Sequence, residues 1–342
     1  MTTYMILMHP GHNRVYLQES VRYAKYEFEI VSKTLSAEIN GAETVFIADI
    51  PYLKFQSKKS LEEKDFSKIT RLSFFYALFE QRGDSLIPIA VPNSYYLDSS
   101  LSGMLKYSGK TNEIFTRLLL NVAVTSSKFA GEEALKILDP IAGKGTTLFE
   151  CASMGYDAYG IEIAPKTAGE VFHFFRKYLE TEKCKHTFHQ ERVSGPKKSF
   201  MAERYSFQYA KSKEEFKRKE VKNLEIVAGN TDLADKFFKK DSFHVLAGDL
   251  PYGVQHRNTA GQVQGAERSP LALLKKALPA WKTVMKKGGV LALSWNTFVA
   301  KREDIEALLI KNGFQVESGD MYKNFVHRVD QAILRDFVVA YK

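Results

Sequence analysis

Short apolar runs alternate with stretches of helical periodicity through most of the chain after about residue 110. Runs that predict strands lie at 134–138, 158–161, 224–228, 243–247 and 290–294. Apolar positions at helical spacing predict helices around and between them, at 113–124, 146–154, 233–239, 271–286 and 302–311. Strands that alternate with helices are typical of a parallel sheet covered by helices on both faces.

The carboxyl end of the chain departs from this alternation. Residues 314–321 and 332–341 predict two strands with no helix between them. Consecutive strands without a crossover helix pair antiparallel, so we expect a hairpin at the edge of the sheet. The pattern therefore predicts an α/β domain over 106–342.

The first 105 residues form a second unit in this interpretation. Residues 4–8 and 44–49 predict strands, whereas 17–39 and 69–79 predict helices. Residues 54–65 are polar and predict a loop. We expect a small α+β domain over 1–105.

A charged stretch at 164–225 interrupts the alternation. It holds 15 Lys and Arg residues against nine Asp and Glu residues, so most of the net charge of the chain, +9, lies here. Two interpretations stay open: a solvated helical hairpin, or a basic platform for nucleic acid. The second draws on six interleaved aromatic residues: Phe188, Phe200, Tyr205, Phe207, Tyr209 and Phe216.

The composition is that of an ordinary globular protein. Hydrophobic residues make up 44% and charged residues 26% of 342 residues, which excludes a disordered chain, a collagen and a coiled coil. No apolar stretch reaches the roughly 18 residues of a membrane span. Two cysteines, Cys151 and Cys184, fit a reducing compartment. We expect a cytoplasmic protein with no membrane association.

Polar and glycine residues follow the predicted strands, where open parallel sheets bind ligands. Gly143 and Gly145 let the backbone approach a ligand, and Glu162 ends the next strand, where an acid holds ribose hydroxyls. Asn230 can bond an adenine edge. The pattern predicts a nucleoside-containing cofactor, with these candidate residues: Asp139, Ala142, Gly143, Gly145, Thr146, Thr147, Glu162, Ile163, Asn230, Thr231 and Asp249.

The sequence Asp249-Leu250-Pro251-Tyr252 follows the fourth predicted strand. It resembles the Asp/Asn-x-Pro-Tyr/Phe motif of class I S-adenosylmethionine-dependent amino-methyltransferases. The resemblance implies S-adenosylmethionine as cofactor and a Rossmann-like class I methyltransferase fold, with a mostly parallel seven-stranded sheet. In this interpretation Asp249 and a carbonyl of Leu250 or Pro251 accept the N–H groups of the target amine, while Tyr252 stacks on the base. That chemistry needs no metal.

The chain is also similar to the RNA methylase family that includes the guanine-N2 methyltransferases for position 10 of tRNA. The features that carry this likeness are the compact amino-terminal region, Thr70-Arg71-Leu72-Ser73-Phe74-Phe75 and Asp249 to His256. Lys110 to Leu120 resembles the helix that often closes over the methionine part of the cofactor. The likeness implies an RNA substrate, with tRNA favoured, and gives 1–105 a role in binding RNA or a partner. A small activating protein or a second copy of the chain are the partners it allows. Candidate substrate-binding residues are Gln255, His256, Arg257, Lys217, Arg218 and Lys219.

Two alternatives share some of these features. A DNA methyltransferase acting on adenine N6 or cytosine N4 has both motifs, although no sequence-reading domain is evident here. A non-catalytic protein could use the fold only to bind nucleic acid. The intact acids Asp139, Glu162 and Asp249 argue against that loss of activity.

Overall fold

A computed structural model describes residues 1–10, 14–107, 110–251 and 269–342. The amino-terminal unit is an antiparallel sheet in the order β2-β3-β1-β4-β5, and helix α1 packs against it. Its elements are β1 (Thr2–Met8), α1 (Arg14–Ser32), β2 (Ile39–Ile47), β3 (Ile50–Ser57), α2 (Glu63–Ile69), β4 (Phe75–Arg82) and β5 (Ser85–Ile89). The expected α+β character of this region is confirmed.

The second part of the chain alternates strands and helices up to β12 and then closes with three strands. Its elements are α3 (Leu101–Met104), α4 (Glu113–Ser126), β6 (Lys136–Asp139), α5 (Thr146–Ser153), β7 (Asp157–Glu162), α6 (Pro165–Thr181), β8 (Lys185–Ser194), β9 (Met201–Ala210), α7 (Lys213–Lys217), β10 (Lys222–Ala228), α8 (Ala234–Phe237), β11 (Phe243–Asp249), α9 (Pro270–Val284), β12 (Met285–Asn296), α10 (Arg302–Lys311), β13 (Gln315–Val316), β14 (His327–Arg328) and β15 (Leu334–Tyr341). Short 3₁₀ turns occupy Pro196–Lys198, Thr231–Leu233 and Asp320–Tyr322.

The strand order of the large sheet confirms the predicted architecture. The order is β13-β15-β12-β11-β6-β7-β10-β9-β8. Strands β10, β7, β6, β11 and β12 are mutually parallel, whereas β15 runs antiparallel to β12 and pairs with β13 at the edge. The seven strands from β13 to β10 are thus the mostly parallel sheet with an antiparallel carboxyl-terminal hairpin, and two buried apolar clusters cover its faces.

The helical hairpin considered for 164–225 is wrong. Helix α6 is the crossover between β7 and β10, and β8 and β9 form a β-hairpin that extends the sheet antiparallel to β10. Three of the aromatic rings considered for a nucleic-acid platform, Tyr205, Phe207 and Tyr209, are buried against α6. They belong to the core because the hairpin alternates apolar and charged positions, which is a strand pattern with one buried face.

Two predicted elements of the amino-terminal unit are also wrong, and a third is too long. The helix predicted at 17–39 ends at Ser32, the predicted loop at 54–65 contains the second half of β3 and the start of α2, and the predicted helix at 69–79 gives way to β4. In β3 the buried Leu53, Phe55 and Ser57 alternate with partly exposed neighbours, which is the period of a half-buried strand.

The two units share buried contacts. Leu97 and Leu101 lie in the same apolar cluster as Phe115 of α4, and Tyr23 of α1 joins them. The buried Glu27 carboxylate of α1 accepts hydrogen bonds from the backbone and hydroxyl of Ser73 and from the Asn121 amide of α4. The boundary near residue 105 stays a prediction. Among the described residues, no helix has the length and apolar character needed to cross a bilayer.

The hairpin packing predicts a stability effect at Phe207. Its buried ring contacts Phe172 and Phe175 of α6, so Phe207→Ala should lower the free energy of unfolding by about 3–5 kcal/mol. The matched control is Phe188→Ala, because Phe188 pairs with Phe207 across the hairpin but is 39% exposed. Urea denaturation of both variants measures the difference, and equal effects would contradict this packing.

Candidate active site

A cavity of about 450 Å³ opens beyond the carboxyl ends of β7, β10 and β11. The strand order brings these ends together although they lie far apart in sequence. Six of the predicted site residues line the cavity: Glu162, Ile163, Asn230, Thr231, Asp249 and Pro251. A volume of this size is ordinary for a small-molecule or cofactor site.

The loop that contains Gly143 and Gly145, here called the glycine loop, joins β6 to α5 through left-handed turns. Gly143 and Gly145 have φ values of 51° and 83°, a region that favours glycine. The backbone N–H of Ala142 donates to the Ile161 carbonyl at 2.8 Å, which fixes the loop to the next strand. Thr146 and Thr147 form the first turn of α5, whose free N–H groups point beyond the strand ends.

Close packing explains a further glycine beside this loop. A Cβ atom added at Gly160 of β7 would lie 2.9 Å from Ala142 Cβ and from a methyl group of Leu148. The loop and helix α5 therefore press directly on the β7 backbone. Sequence reasoning missed Gly160, although its position inside a predicted strand was a signal for close approach of another backbone.

Asp139 lies buried beneath the loop. The Ile141 N–H donates to its Oδ1 at 3.0 Å. Burial raises the pKa of Asp139 to about 7, against hydrogen bonds from Thr147 and Ile141, and the nearby charges of Asp249 and Glu162 add to the rise. The carboxyl therefore changes charge near neutral pH.

Glu162 lies between the glycine loop and α6. The Ala164 N–H donates to Glu162 Oε1 at 2.8 Å, and the Gly143 N–H also bonds the carboxylate. Burial raises the pKa of Glu162 in spite of these bonds. Its neighbour Ile163 is 67% exposed at the mouth of the cavity.

The residues after β10 have structural partners of their own. Asn230 caps the following 3₁₀ turn, where its side chain accepts the Asp232 N–H at 3.4 Å. The Thr231 hydroxyl accepts the indole N–H of the buried Trp281 at 2.9 Å. Thr231 therefore lines the cavity and also anchors helix α9 beside it.

Three side chains hold the Asp249 carboxylate. The Ser294 hydroxyl donates to Oδ1 at 2.5 Å, the Thr111 hydroxyl donates to Oδ2 at 2.7 Å, and an Arg335 N–H donates to Oδ2 at 3.4 Å. The Arg335 side chain is 2% exposed and lies over the Phe115 ring, so a fixed positive charge sits behind the carboxylate.

Sequence reasoning missed Ser294 and Arg335 because their contact depends on register. Ser294 of β12 lies directly beside Asp249 of β11, and Arg335 comes from β15 on the far side of β12. Thr111 had a weak signal, since it lies in the segment 110–120 that was compared with a cofactor-closing helix. Just before that segment, the Tyr107 hydroxyl lies 3.3 Å from Oγ1 of Thr146, the first residue of α5.

The rest of the predicted catalytic motif is partly described. Leu250 is buried, and its N–H donates to the Ser294 carbonyl at 2.7 Å, which directs the turn after β11. Pro251 lines the cavity. The other predicted residues of this stretch lie outside the described residues: Tyr252, Gln255, His256 and Arg257.

The basic residues predicted to bind substrate lie elsewhere. Lys217 ends α7, and Arg218 and Lys219 follow it, before the start of β10. The cavity is at the other end of β10, so these three side chains do not lie beside it. The sequence could not show this, because the β8–β9 hairpin returns the chain to the amino end of the sheet.

The charges that line the cavity are mainly negative. Glu162, Asp232 and Asp249 contribute carboxylates, against the single ammonium group of Lys276 among the described lining residues. Such a cavity attracts a cationic ligand and disfavours a phosphate chain.

Comparisons with known proteins give likenesses of fold. No model of a protein family matches the sequence, and no curated protein is significantly similar to it. Among solved structures, TrmN from Thermus thermophilus matches over 100% of both chains at 11% identity with a TM-score of 0.46. The magnesium protoporphyrin IX methyltransferase of Synechocystis PCC 6803, solved with bound SAH, matches 69% of this chain and 90% of its own at 11% identity and a TM-score of 0.40.

A putative RNA methyltransferase of Pyrococcus horikoshii matches 70% of this chain and 94% of its own at 13% identity and a TM-score of 0.39. Likenesses this distant decide nothing about substrate.

The strand order itself, with β15 reversed between β12 and β13, is the class I methyltransferase fold, and its cavity lies where that fold binds ligands.

The Asp139 environment predicts a pH-dependent stability. The pKa of Asp139 is higher in the folded state than the ordinary value of about 4. The stabilising contribution of Asp139 is therefore present below about pH 4 and is lost as pH rises through about 7. Asp139→Asn removes that loss. The difference in melting temperature between Asp139→Asn and the unmodified protein should therefore increase by about 5 °C from about pH 5 to about pH 8.5.

Thermal melts at the two pH values measure this change. Asp304→Asn is the control, because Asp304 is exposed in the first turn of α10. A relative melting temperature of Asp139→Asn that stays constant with pH would contradict the effect of burial.

Proposed function

We propose that this protein is an S-adenosylmethionine-dependent N-methyltransferase that modifies an exocyclic amine of a nucleobase in RNA. The observation that carries the proposal is Asp249. It ends β11 at the head of the Asp249-Leu250-Pro251 turn, lies on the same cavity as Glu162 and Asn230, and is held by three side chains.

The residues of the cavity fit the cofactor. Glu162 at the end of β7 suits ribose hydroxyls and Asn230 suits an adenine edge. Pro140 and Ile141, which precede the glycine loop, line the same cavity, whereas Ala142 to Thr147 are not among its lining residues. The excess of carboxylates suits a ligand with a sulfonium and an ammonium group. Bound there, S-adenosylmethionine would supply an electrophilic methyl group.

Asp249 supplies the other half of the chemistry. A nucleobase amine is a weak nucleophile, because its lone pair is delocalised into the ring. A carboxylate that accepts one of its N–H groups, with a carbonyl of Leu250 or Pro251 accepting the other, directs the lone pair away from the ring. Ser294, Thr111 and Arg335 keep the carboxylate in place before substrate arrives, which is preorganisation.

A sequence resemblance and the net charge support the choice of RNA, and of guanine N2 in tRNA, as the substrate. The segments Thr70 to Phe75 and Asp249 to His256 resemble the RNA methylases, and the net charge of +9 suits a polyanion. Asn121 of α4 donates to the carbonyl of Arg71 in the first of these segments at 2.7 Å, which joins that segment to α4. A small activating protein or a second copy of the chain stays a proposal for the partner.

Glu162 gives a direct test of the cofactor site. Glu162→Gln keeps the shape of the side chain but removes the charge, so the affinity for S-adenosylmethionine should fall by about tenfold. Isothermal calorimetry measures the affinity, with Glu180→Gln on the exposed side of α6 as the control. Equal affinities of the two variants would place the cofactor elsewhere.

Asp249 gives the test of catalysis. Asp249→Ala should bind S-adenosylmethionine within about threefold of the unmodified protein and lose about 100- to 1000-fold in methyl transfer. The assay follows methyl label from the cofactor into total nucleic acid, and Asp241→Ala at the other end of β11 is the control. Unimpaired methyl transfer by Asp249→Ala would contradict the catalytic role of Asp249.

Nuclease treatment of the labelled product separates the substrates. Label that disappears with RNase supports RNA. Label that survives RNase but disappears with DNase indicates the DNA methyltransferase alternative, whereas no binding of S-adenosylmethionine indicates a non-catalytic protein.

A further inference from the structure

A second, larger cavity lies between the amino-terminal unit and the catalytic half. Its volume is about 750 Å³. One wall comes from α2 and the residues after it, and the other from the 93–96 segment and the ends of β9 and β10. We call it the basic cleft, because five basic side chains line it against two acidic ones, Glu132 and Glu133. The basic ones are Lys64, Lys68, Arg71, Lys211 and Lys222.

The basic cleft is at the opposite end of the sheet from the proposed active site. Tyr156 precedes β7 and Lys222 begins β10, so the cleft meets these strands at their amino ends. The active-site cavity meets the same strands at their carboxyl ends, at Glu162 and Gly229. Strands of six or seven residues separate the two sites by roughly 20 Å.

The two sites also have opposite charge. Carboxylates outnumber basic groups around the active-site cavity, whereas basic groups outnumber carboxylates around the cleft. A nucleic acid that places one base in an acidic cavity needs its phosphates neutralised at another surface. The cleft is a surface with that charge.

Two lysines of the cleft converge on one ring. The Nζ atoms of Lys211 and Lys222 lie 4.8 and 5.8 Å from the centre of the Tyr96 ring. Glu215 accepts the Tyr96 hydroxyl and the Lys211 backbone N–H, and neither ammonium group has a carboxylate within 4.0 Å among the described ion pairs. Both ammonium groups therefore place positive charge around Tyr96 at this wall of the cleft, and such charge attracts an anion.

The wall formed by the amino-terminal unit is firmly placed. The Arg71 guanidinium donates to the Ser94 carbonyl and to the Tyr156 hydroxyl, which joins α2 and its following turn to the catalytic half. Lys68 donates to the Thr34 carbonyl. Lys64 is exposed at the rim and pairs with Glu62 at 3.1 Å.

We infer that the basic cleft binds the phosphodiester backbone of the RNA substrate, at a segment distant from the base that enters the active site. The inference rests on the proposed function, and it adds that the substrate must be long enough to reach both ends of the sheet. Helix α7 lies between Lys211 and Lys222 in the chain, but Lys217, Arg218 and Lys219 are not among the residues that line the cleft, and Arg218 pairs with Glu220 at 2.7 Å.

Fluorescence anisotropy of labelled bulk tRNA tests the cleft, with the full-length protein and a titration of salt. Lys211→Gln/Lys222→Gln should weaken binding by about tenfold and reduce the slope of log affinity against log salt by between about 1 and 2. Lys64→Gln on the other wall should weaken binding in the same direction. The control removes the same charge at α10, in Lys301→Gln/Lys311→Gln, and should change neither quantity.

A second measurement separates this inference from the proposed function. The cleft variants should keep the calorimetric affinity for S-adenosylmethionine, and they should raise the KM for tRNA without lowering kcat. If the cleft and control variants lose equal affinity, or neither loses any, the cleft does not hold RNA, while tRNA methylation by the unmodified protein would still support the proposed function. Tighter binding of a DNA duplex than of tRNA would overturn both the RNA site and the RNA substrate.

Discussion

The fixed position of the Asp249 carboxylate is the constraint on which the account of this protein depends. A carboxylate at the end of a strand would ordinarily be free to rotate in solvent. Here the Ser294 hydroxyl, the Thr111 hydroxyl and a buried Arg335 hold it from three elements. The contacts of Ser294 and Arg335 exist only if the sheet has its observed order, because β12 must lie beside β11 and β15 on the far side of β12. The catalytic proposal is therefore also a consequence of the fold.

Charge is separated between the two ends of the same sheet. The carboxyl ends carry Asp139, Glu162 and Asp249, and burial raises the pKa of the first two. The amino ends face the basic cleft, next to α7. Under the proposed function, a cationic cofactor and a polyanionic substrate have opposite requirements, and the two regions of opposite charge lie about 20 Å apart. The hairpin of β8 and β9 contributes to this separation, since it carries the chain back to Lys211 and Lys222.

Local signals were enough to predict the parallel strands of the catalytic half, although not the β8–β9 hairpin. Its strands are apolar runs that end in a polar residue, as at Asp139 and Asp249, and that pattern needs no knowledge of distant parts of the chain. The amino-terminal elements failed for the opposite reason. Residues 75–79 are apolar on both faces of β4, although Tyr76 is 57% exposed, and such a run does not distinguish strand from helix.

A site residue could be predicted from the sequence only where its role depended on its position at the end of its own strand. The carboxylates and the glycine loop were found this way. Ser294 and Arg335 were not, because their role depends on the register of β12 and β15. The basic segment was found but misplaced, since a charge run carries no information on which end of a sheet it reaches.

Mass spectrometry of the methylated product tests the central claim most directly. The protein would be incubated with bulk tRNA and S-adenosylmethionine that carries a deuterated methyl group, and the RNA then digested to nucleosides. The account predicts a mass increase located on an exocyclic nitrogen of one nucleobase, absent with Asp249→Ala. Label on a ribose oxygen, a ring carbon or no nucleoside at all would contradict it.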